Sequence, residues 1–191
     1  MAVQTKIRQG VEQFWAFVAQ PENAEKRWEL IAGEIIEMPP SSLKNSALAG
    51  RIIYFLLAYV LPRGLGWVTV PDGGYQLAEA MLVQPDAAFL SKERAPALTA
   101  RVFEGAPDLA VEIISPSERH TEIRAKISAY LAHGGRLVWI VYPDQQIVDV
   151  WQAQPDGALR VESFDKGQTL RAGDLLPEFS LPVAALFDGL D

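Results

Sequence analysis

Three residues far apart along the chain carry groups that suit metal-assisted hydrolysis of a phosphate ester: Asp86 in "QPDAAFL", Glu112 in "LAVEIIS" and Lys126 in "RAKISAY". Two carboxylates at the ends of neighbouring strands can hold Mg²⁺ or Mn²⁺ through oxygen, with water completing the shell. An ion so placed lowers the pKa of a bound water and neutralises charge on a phosphoryl group. A nearby lysine can orient the attacking water or stabilise the oxyanion. Glu112 raises the question most sharply. Its neighbours Leu109, Ala110, Val111, Ile113 and Ile114 read as a strand buried on both faces, where an uncompensated charge is costly.

Each residue also has a plainer explanation. Asp86, after Pro85, suits a turn or the start of a strand. Lys126 can pair with Glu122 on a helix surface, four residues away. A salt bridge to an arginine would satisfy Glu112 as well as a metal would, and the residues alone leave both open.

Other chemistries have less to build on. The chain has no cysteine, which excludes disulfides, thiolate zinc sites and cysteine nucleophiles. His120 and His133 are the only histidines, too few for a multi-histidine site and a weak basis for a Ser-His-Asp triad. His133 stands at a helix C-terminus, where the helix dipole accounts for it. No phosphate-binding glycine loop or dinucleotide fingerprint occurs, and Asp72-Gly73-Gly74 is turn chemistry. The five tryptophans are scattered and read as core or interface rather than a base-stacking platform.

The elements that must position these groups follow from periodicity and turn signals. "VEQFWAFVAQ" belongs to an amphipathic N-terminal helix, and "RWELIAGEIIEM" alternates in part about a turn at Gly33, as a hairpin does. A serine of "PPSS", or Asn45, caps a long helix ending near Pro62. "GWVTV" and "GGYQLAEAMLVQPDAAFLS" read as short strands, and residues 91 to 107 as a loop with a short helical piece. After the strand at 108 to 114, Ser115-Pro116-Ser117 predicts a helix start with Glu118 in its first turn. That helix lines up Ile123, Ile127, Tyr130 and Leu131 and stops at Gly134-Gly135. Lys126 falls at the edge of this stripe, so its stem can run under the sheet and its ammonium reach a cleft. "RLVWIVYP" is the next buried strand, followed by an antiparallel meander and a tail, "LLPEFSLPVAALF", that packs over the core. The fold class is therefore α/β or α+β: a central mixed β-sheet flanked by helices.

With 191 residues, 49% hydrophobic and 21% charged, the chain fits one soluble domain, residues 1–191, with 1–26 as an N-terminal helical extension. A cysteine-free composition fits a reducing cytoplasm, and no secretory signal is visible. The apolar stretch at 47–61 includes Arg51 and falls short of the ~20 residues that span a bilayer, so a buried core helix and no membrane partner are expected. Net charge of −7 argues against broad nucleic-acid binding. The charge is uneven, however: residues 41 to 64 carry Lys44, Arg51 and Arg63 with no acid. Arg119, Arg124, Lys126 and Arg136 outnumber the acids of 115–136, so a local basic rim is expected.

Five blocks in order, "RWELIAGEIIEMPP", "QPDAAFLSKERAP", "GAPDLAVEIISPSER", "KISAYLAHGG" and "RLVWIVYPDQQIVDVW", resemble the Uma family of restriction-endonuclease-like proteins, expanded in cyanobacteria. That family is similar in fold to the PD-(D/E)xK nuclease superfamily, and the resemblance covers residue 27 to the C-terminus. It implies a restriction-endonuclease-like core in which Asp86 and Glu112 are the metal-binding acids. The usual lysine two positions after the second acid is replaced by Ile114, and the resemblance assigns that role to Lys126. Glu34, at the recurrent "GE" position, is implied to lie near the metal; a hairpin-edge acid is the plainer account. Asn45 stands where many relatives have histidine, and cannot shuttle a proton near neutral pH. Glu122 and Tyr142 replace aspartates of the pattern.

The expectation is a Mg²⁺- or Mn²⁺-dependent endonuclease acting on DNA. Asp86 and Glu112 bind the ion, Lys126 positions the hydrolytic water and Glu34 assists. Lys44, Asn45, Arg51, Arg119 and Arg124 are the expected substrate contacts, and a homodimer suits double-strand cutting. The alternatives are a nuclease-like module that binds nucleic acid or a protein partner without cutting, and a small-molecule phosphoryl hydrolase.

Overall fold

A computed structural model describes residues 8–115 and 118–190. Helix α1 (Val11–Val18) precedes the hairpin β1 (Arg27–Ile31) and β2 (Glu34–Met38), and the long helix α2 (Leu43–Arg63) follows. Five short strands come next: β3 (Gly66–Thr69), β4 (Tyr75–Ala78), β5 (Met81–Val83), β6 (Ala87–Ser91) and β7 (Phe103–Glu104). A parallel strand–helix–strand unit is formed by β8 (Leu109–Ile113), α3 (His120–Ala132) and β9 (Leu137–Tyr142). The chain then runs through β10 (Ile147–Ala153), β11 (Leu159–Phe164), β12 (Thr169–Ala172), β13 (Leu176–Pro182) and α4 (Val183–Phe187).

The expected mixed sheet is six-stranded, ordered β11-β10-β9-β8-β6-β3, and parallel only between β8 and β9. A second sheet, β2-β1-β5-β4-β7, and the ribbon β12-β13 complete the strands. Strand alternation sorts the core into two sides of the main sheet. Leu109, Val111 and Ile113 of β8 pack with Leu48, Ile52, Leu56 and Val60 of α2, and with Phe179 and Phe187 of the tail. Ala110 faces the other way, onto Ile123, Ile127 and Tyr130 of α3 and onto Tyr75 and Val83 of the second sheet. Glu112 lies two residues beyond Ala110 and so shares the α3 side. Helix α1 buries Val11 and Phe14 against Leu30 and Leu82.

Local signals set the ends of these elements. Ala32 and Gly33, both at positive φ (52° and 83°), make a two-residue hairpin loop whose twist matches its strands. Ser42 caps α2 by accepting the Asn45 N–H, and Gly64 closes it in the left-handed conformation. The serine cap and the end near Pro62 are as expected, and α2 runs for 21 residues with Pro62 inside its last turn. By length and composition alone it could cross a membrane. In the fold it buries one stripe on the main sheet and leaves Leu43, Tyr54 and Leu61 exposed, so it is a half-buried helix rather than a fully buried one.

Two further expectations are corrected. No helix lies between 91 and 107; Phe103–Glu104 instead forms β7, parallel to β4. Helix α3 starts at His120 after Arg119, not at the serines. The Glu118 carboxylate turns back to accept the Ser115 N–H (2.6 Å), the reach of a capping box, but the helix begins only after Arg119. Pro116 and Ser117, part of that predicted start, lie outside the described residues.

Glycine positions give a paired test. A Cβ on Gly135 would sit 2.7 Å from the Tyr130 carbonyl oxygen, whereas one on Gly50, in the middle of α2, meets nothing within 4 Å. In urea denaturation, Gly135→Ala is expected to destabilise by about 1–3 kcal/mol through overpacking. Gly50→Ala is expected to stabilise by about 0.5–1 kcal/mol by restoring helix propensity.

Candidate active site

The pairing of β6 with β8 brings two acids together. Ala87 lies opposite Val111 and Ala88 opposite Ala110, so the next step along the same register sets Asp86 beside Glu112. Directly opposed residues point to one face, here the face covered by α3. The Asp86 Oδ2 accepts the Ile113 N–H at 2.7 Å, which anchors it to the end of β8. From above, Lys126 and Tyr130 descend one helical turn apart. Lys126 Nζ donates to Glu112 Oε2 at 3.0 Å, and the Tyr130 hydroxyl to Glu112 Oε1 at 2.6 Å.

A fourth group arrives from the hairpin. Glu29 of β1, wholly buried, lies 2.8 Å from Lys126 Nζ through Oε2 and accepts the Gln84 N–H through Oε1 at 2.6 Å. Lys126 is only 3% exposed and Glu112 5%. Glu112 is thus paired with the same lysine expected to serve catalysis, rather than with an arginine. Lys126 does not pair with Glu122, which Arg119 holds instead.

One ammonium faces two buried carboxylates with Asp86 close by, so the charges do not cancel. Burial pushes the Glu112 carboxyl up to about 8 against the pull of Lys126, and the neighbouring charges of Glu29 and Asp86 push the same way. Burial also raises Asp86, restrained by the Ile113 N–H and by Lys126 and Arg27. Glu118 is raised by burial as well, against its bond from Ser115. Burial works against the charge of Lys126, yet Glu112 and Glu29 outweigh it and hold the ammonium above its ordinary range. Tyr130 is held well above its usual value by burial and by Glu112, so it donates to the carboxylate rather than ionising.

These groups open on a hollow of about 310 Å³, whose walls include Asp86, Glu112, Lys126, Arg27, Gln84, Asn45 and Glu118. Its donors suit a hard divalent cation, because every candidate ligand atom is oxygen. Gln84 Oε1 is buried on this wall without a hydrogen-bond partner. The excess of carboxylate over ammonium calls for positive charge at the same place. Among the described residues, no three Asp, Glu or His side chains gather to cage an ion by themselves. Water would have to complete the shell around Asp86 and Glu112.

The other expected site residues are distributed more widely. Asn45 lines the hollow. Glu34 does not: it pairs with Ile31 at the turn end of the hairpin and lines a separate hollow with Arg119, whose Nη2 is 3.9 Å away. Glu29, two positions before Ile31 on β1, occupies the place expected for Glu34. Arg51 does not line the hollow but donates to the Leu186 carbonyl at 2.8 Å and ties α2 to α4. Lys44 lies 3.9 Å from Asp144, and Arg124 is exposed on α3; neither lines the hollow. Tyr142, at the end of β9, is also absent from these walls. Sequence reasoning missed Arg27, Glu29, Gln84 and Tyr130 as site residues. The signal was present in "RWELI", where Arg27, Glu29 and Ile31 alternate with Trp28 and Leu30.

The model of the Uma2 family, described as "Putative restriction endonuclease", matches residues 12–184. A solved structure from Anabaena variabilis ATCC 29413, described as a "putative nuclease belonging to DUF820", is similar at a TM-score of 0.80 and 26% identity. That similarity covers 92% of this chain and 97% of the other. No match is found among the curated proteins.

The crowded carboxylates make stability depend on pH. The Glu112 proton is held by the fold up to about pH 8, whereas the ordinary value is 4.5, so the native state binds the extra proton in between. This contribution is complete below the lower value and drains away as pH rises through the upper one. Urea denaturation in chelator is therefore expected to show stability falling from pH 5 to pH 8, and Glu112→Gln is expected to flatten that slope. An unchanged slope in the variant would contradict the assignment.

Proposed function

This chain belongs to the Uma2 family, and from that membership and the Asp86–Glu112–Lys126 crevice we propose a divalent-metal-dependent endonuclease that hydrolyses DNA phosphodiester bonds. One observation carries the proposal. Two acids sit side by side at the ends of neighbouring strands, with a buried lysine on one of them. The descriptions of the family and of the solved relative both name nuclease chemistry, which supports the reaction class.

Asp86 and Glu112 hold Mg²⁺ or Mn²⁺ in this reading, with Gln84 Oε1 beside them. When bound, such an ion supplies an activated water and neutralises charge on the phosphoryl group. The chain's own residues do the rest. Tyr130 and Lys126 each hold one oxygen of Glu112, which fixes the carboxylate's rotamer. Glu29 keeps Lys126 from swinging out. An ammonium has three donors; one goes to Glu112, Glu29 lies within ion-pair distance, and donor capacity remains for a water or a phosphate oxygen in the hollow. A homodimer would set two such sites across a twofold axis for double-strand cutting.

A second reading, a nuclease-like module that binds without cutting, draws on a specific observation. Fewer than three acids gather for an ion among the described residues, and Lys126 is already held by two carboxylates. Metal linkage separates the two readings. Manganese at 100 times its Kd is expected to stabilise the native state by about 2.7 kcal/mol, read as a raised melting temperature. Asp86→Asn is expected to lose that shift while remaining folded by circular dichroism. In the same variant, Mn²⁺-dependent plasmid nicking is expected to fall by about 100-fold or more, the scale of losing one positioned catalytic group. Absence of both the shift and the nicking in the wild type would favour the binding module.

A further inference from the structure

Most of the cations expected to meet substrate phosphate are committed elsewhere. Arg51 serves the Leu186 carbonyl, Arg119 serves Glu122 and Glu34, and Lys44 leans toward Asp144. Among the described residues, the only cations lining the Asp86 hollow are Lys126 and Arg27. Lys126 is buried at the floor, so Arg27 is the positive group at the mouth.

Strand alternation places it there. Arg27, Glu29 and Ile31 share one face of β1, at a repeat of about 6.8 Å for every second residue. Ile31 packs into the core beside α3, Glu29 meets Lys126, and Arg27 comes next outward along the same line. It lines the Asp86 hollow and also an adjoining one that runs past Ser46, Gly50 and Val70. Asp86 and Asn45 border both as well. A linear substrate crossing Asp86 from one hollow to the other passes Arg27.

The guanidinium has a charged neighbour. Its Nε lies 2.8 Å from Asp72 Oδ1, on the loop between β3 and β4. This is an ion pair without hydrogen-bond geometry at Nε, and it leaves the two terminal nitrogens, whose fork matches a pair of phosphate oxygens. Asp72 is itself 71% exposed, and an ion pair open to water holds little energy, so it does not compete strongly for the arginine.

We infer that Arg27 is a phosphate-binding residue, whose terminal guanidinium nitrogens take a backbone phosphate of the nucleic acid next to the bond cut at Asp86 and Glu112. The inference rests on the nuclease reading above. It also gives a chain of net charge −7 a local means of engaging a polyanion, independent of any broad basic surface.

The test is fluorescence anisotropy of a short DNA duplex with the full chain in Ca²⁺, across 50 to 200 mM KCl. Arg27→Gln is expected to weaken binding about tenfold and to lower the slope of log K against log salt by about one, as for the loss of one phosphate contact. The Mn²⁺ melting shift should persist in the variant, since Asp86 and Glu112 are still present, although the Arg27 charge that acts on Asp86 is gone. Wild-type affinity and slope in Arg27→Gln would overturn the inference and leave the nuclease reading standing. No duplex binding by the wild type would overturn both. Should Arg27→Gln fail to fold, Arg27→Lys decides, because it keeps the charge and loses the fork. Reduced affinity at an unchanged salt slope supports the inference, and wild-type affinity defeats it.

Discussion

The whole site depends on one buried ammonium shared by two carboxylates from different sheets. Lys126 comes from α3, Glu112 from the main sheet and Glu29 from the hairpin, and each is almost fully withdrawn from water. A lone lysine at that depth would shed its proton and a lone glutamate would take one. Together the carboxylates keep Lys126 charged, while Glu112 holds its proton well above the ordinary carboxyl range, so the three elements are tied by shared protons and charge as well as by apolar contact. Replacing such a group by a well-packed hydrophobe often costs nothing in stability. Its value here lies in where it leaves charge: the acids outnumber the base, and the surplus faces an opening.

The scaffold around this cluster divides labour between the faces of the main sheet. The α2 side is uniformly apolar, with large residues such as Trp139, Leu56 and Phe187 wholly buried. The α3 side carries the polar network, and its apolar residues lie farther along the helix and the second sheet. A site that strains electrostatics on one face is thus backed by ordinary packing on the other. Stability and chemistry draw on different residues of the same strand: Leu109, Val111 and Ile113 for the first, Glu112 for the second.

Much of this was legible in the amino-acid sequence, and the failures have physical causes. The strand around Glu112 and the buried stripe of α3 are local patterns, and both are as expected. The position of Lys126 followed from its spacing to Ile123 and Tyr130. Its partner Glu29 did not, because the contact joins segments almost a hundred residues apart, and no local pattern says which hairpin lands on which helix. Glu34 was expected in its place on family resemblance alone; the hairpin register puts that residue at the turn, over a different hollow. The start of α3 was misjudged because a serine and a following acid also suit a local turn, which Ser115 and Glu118 make instead. Arg51 illustrates a third kind of miss: charge invites a ligand in sequence, but in the fold a carbonyl at the end of α4 takes it.

The two-residue connection at Ala32 and Gly33 governs more than the shape of the hairpin. Because side chains alternate with strict parity, sliding β1 by a single position relative to its neighbours would turn Arg27 and Glu29 outward and drive Trp28 and Leu30 into the ionic cluster. The length of that loop is thus a polarity selector for the crevice. An insertion that shifted this register would change the groups that meet Lys126.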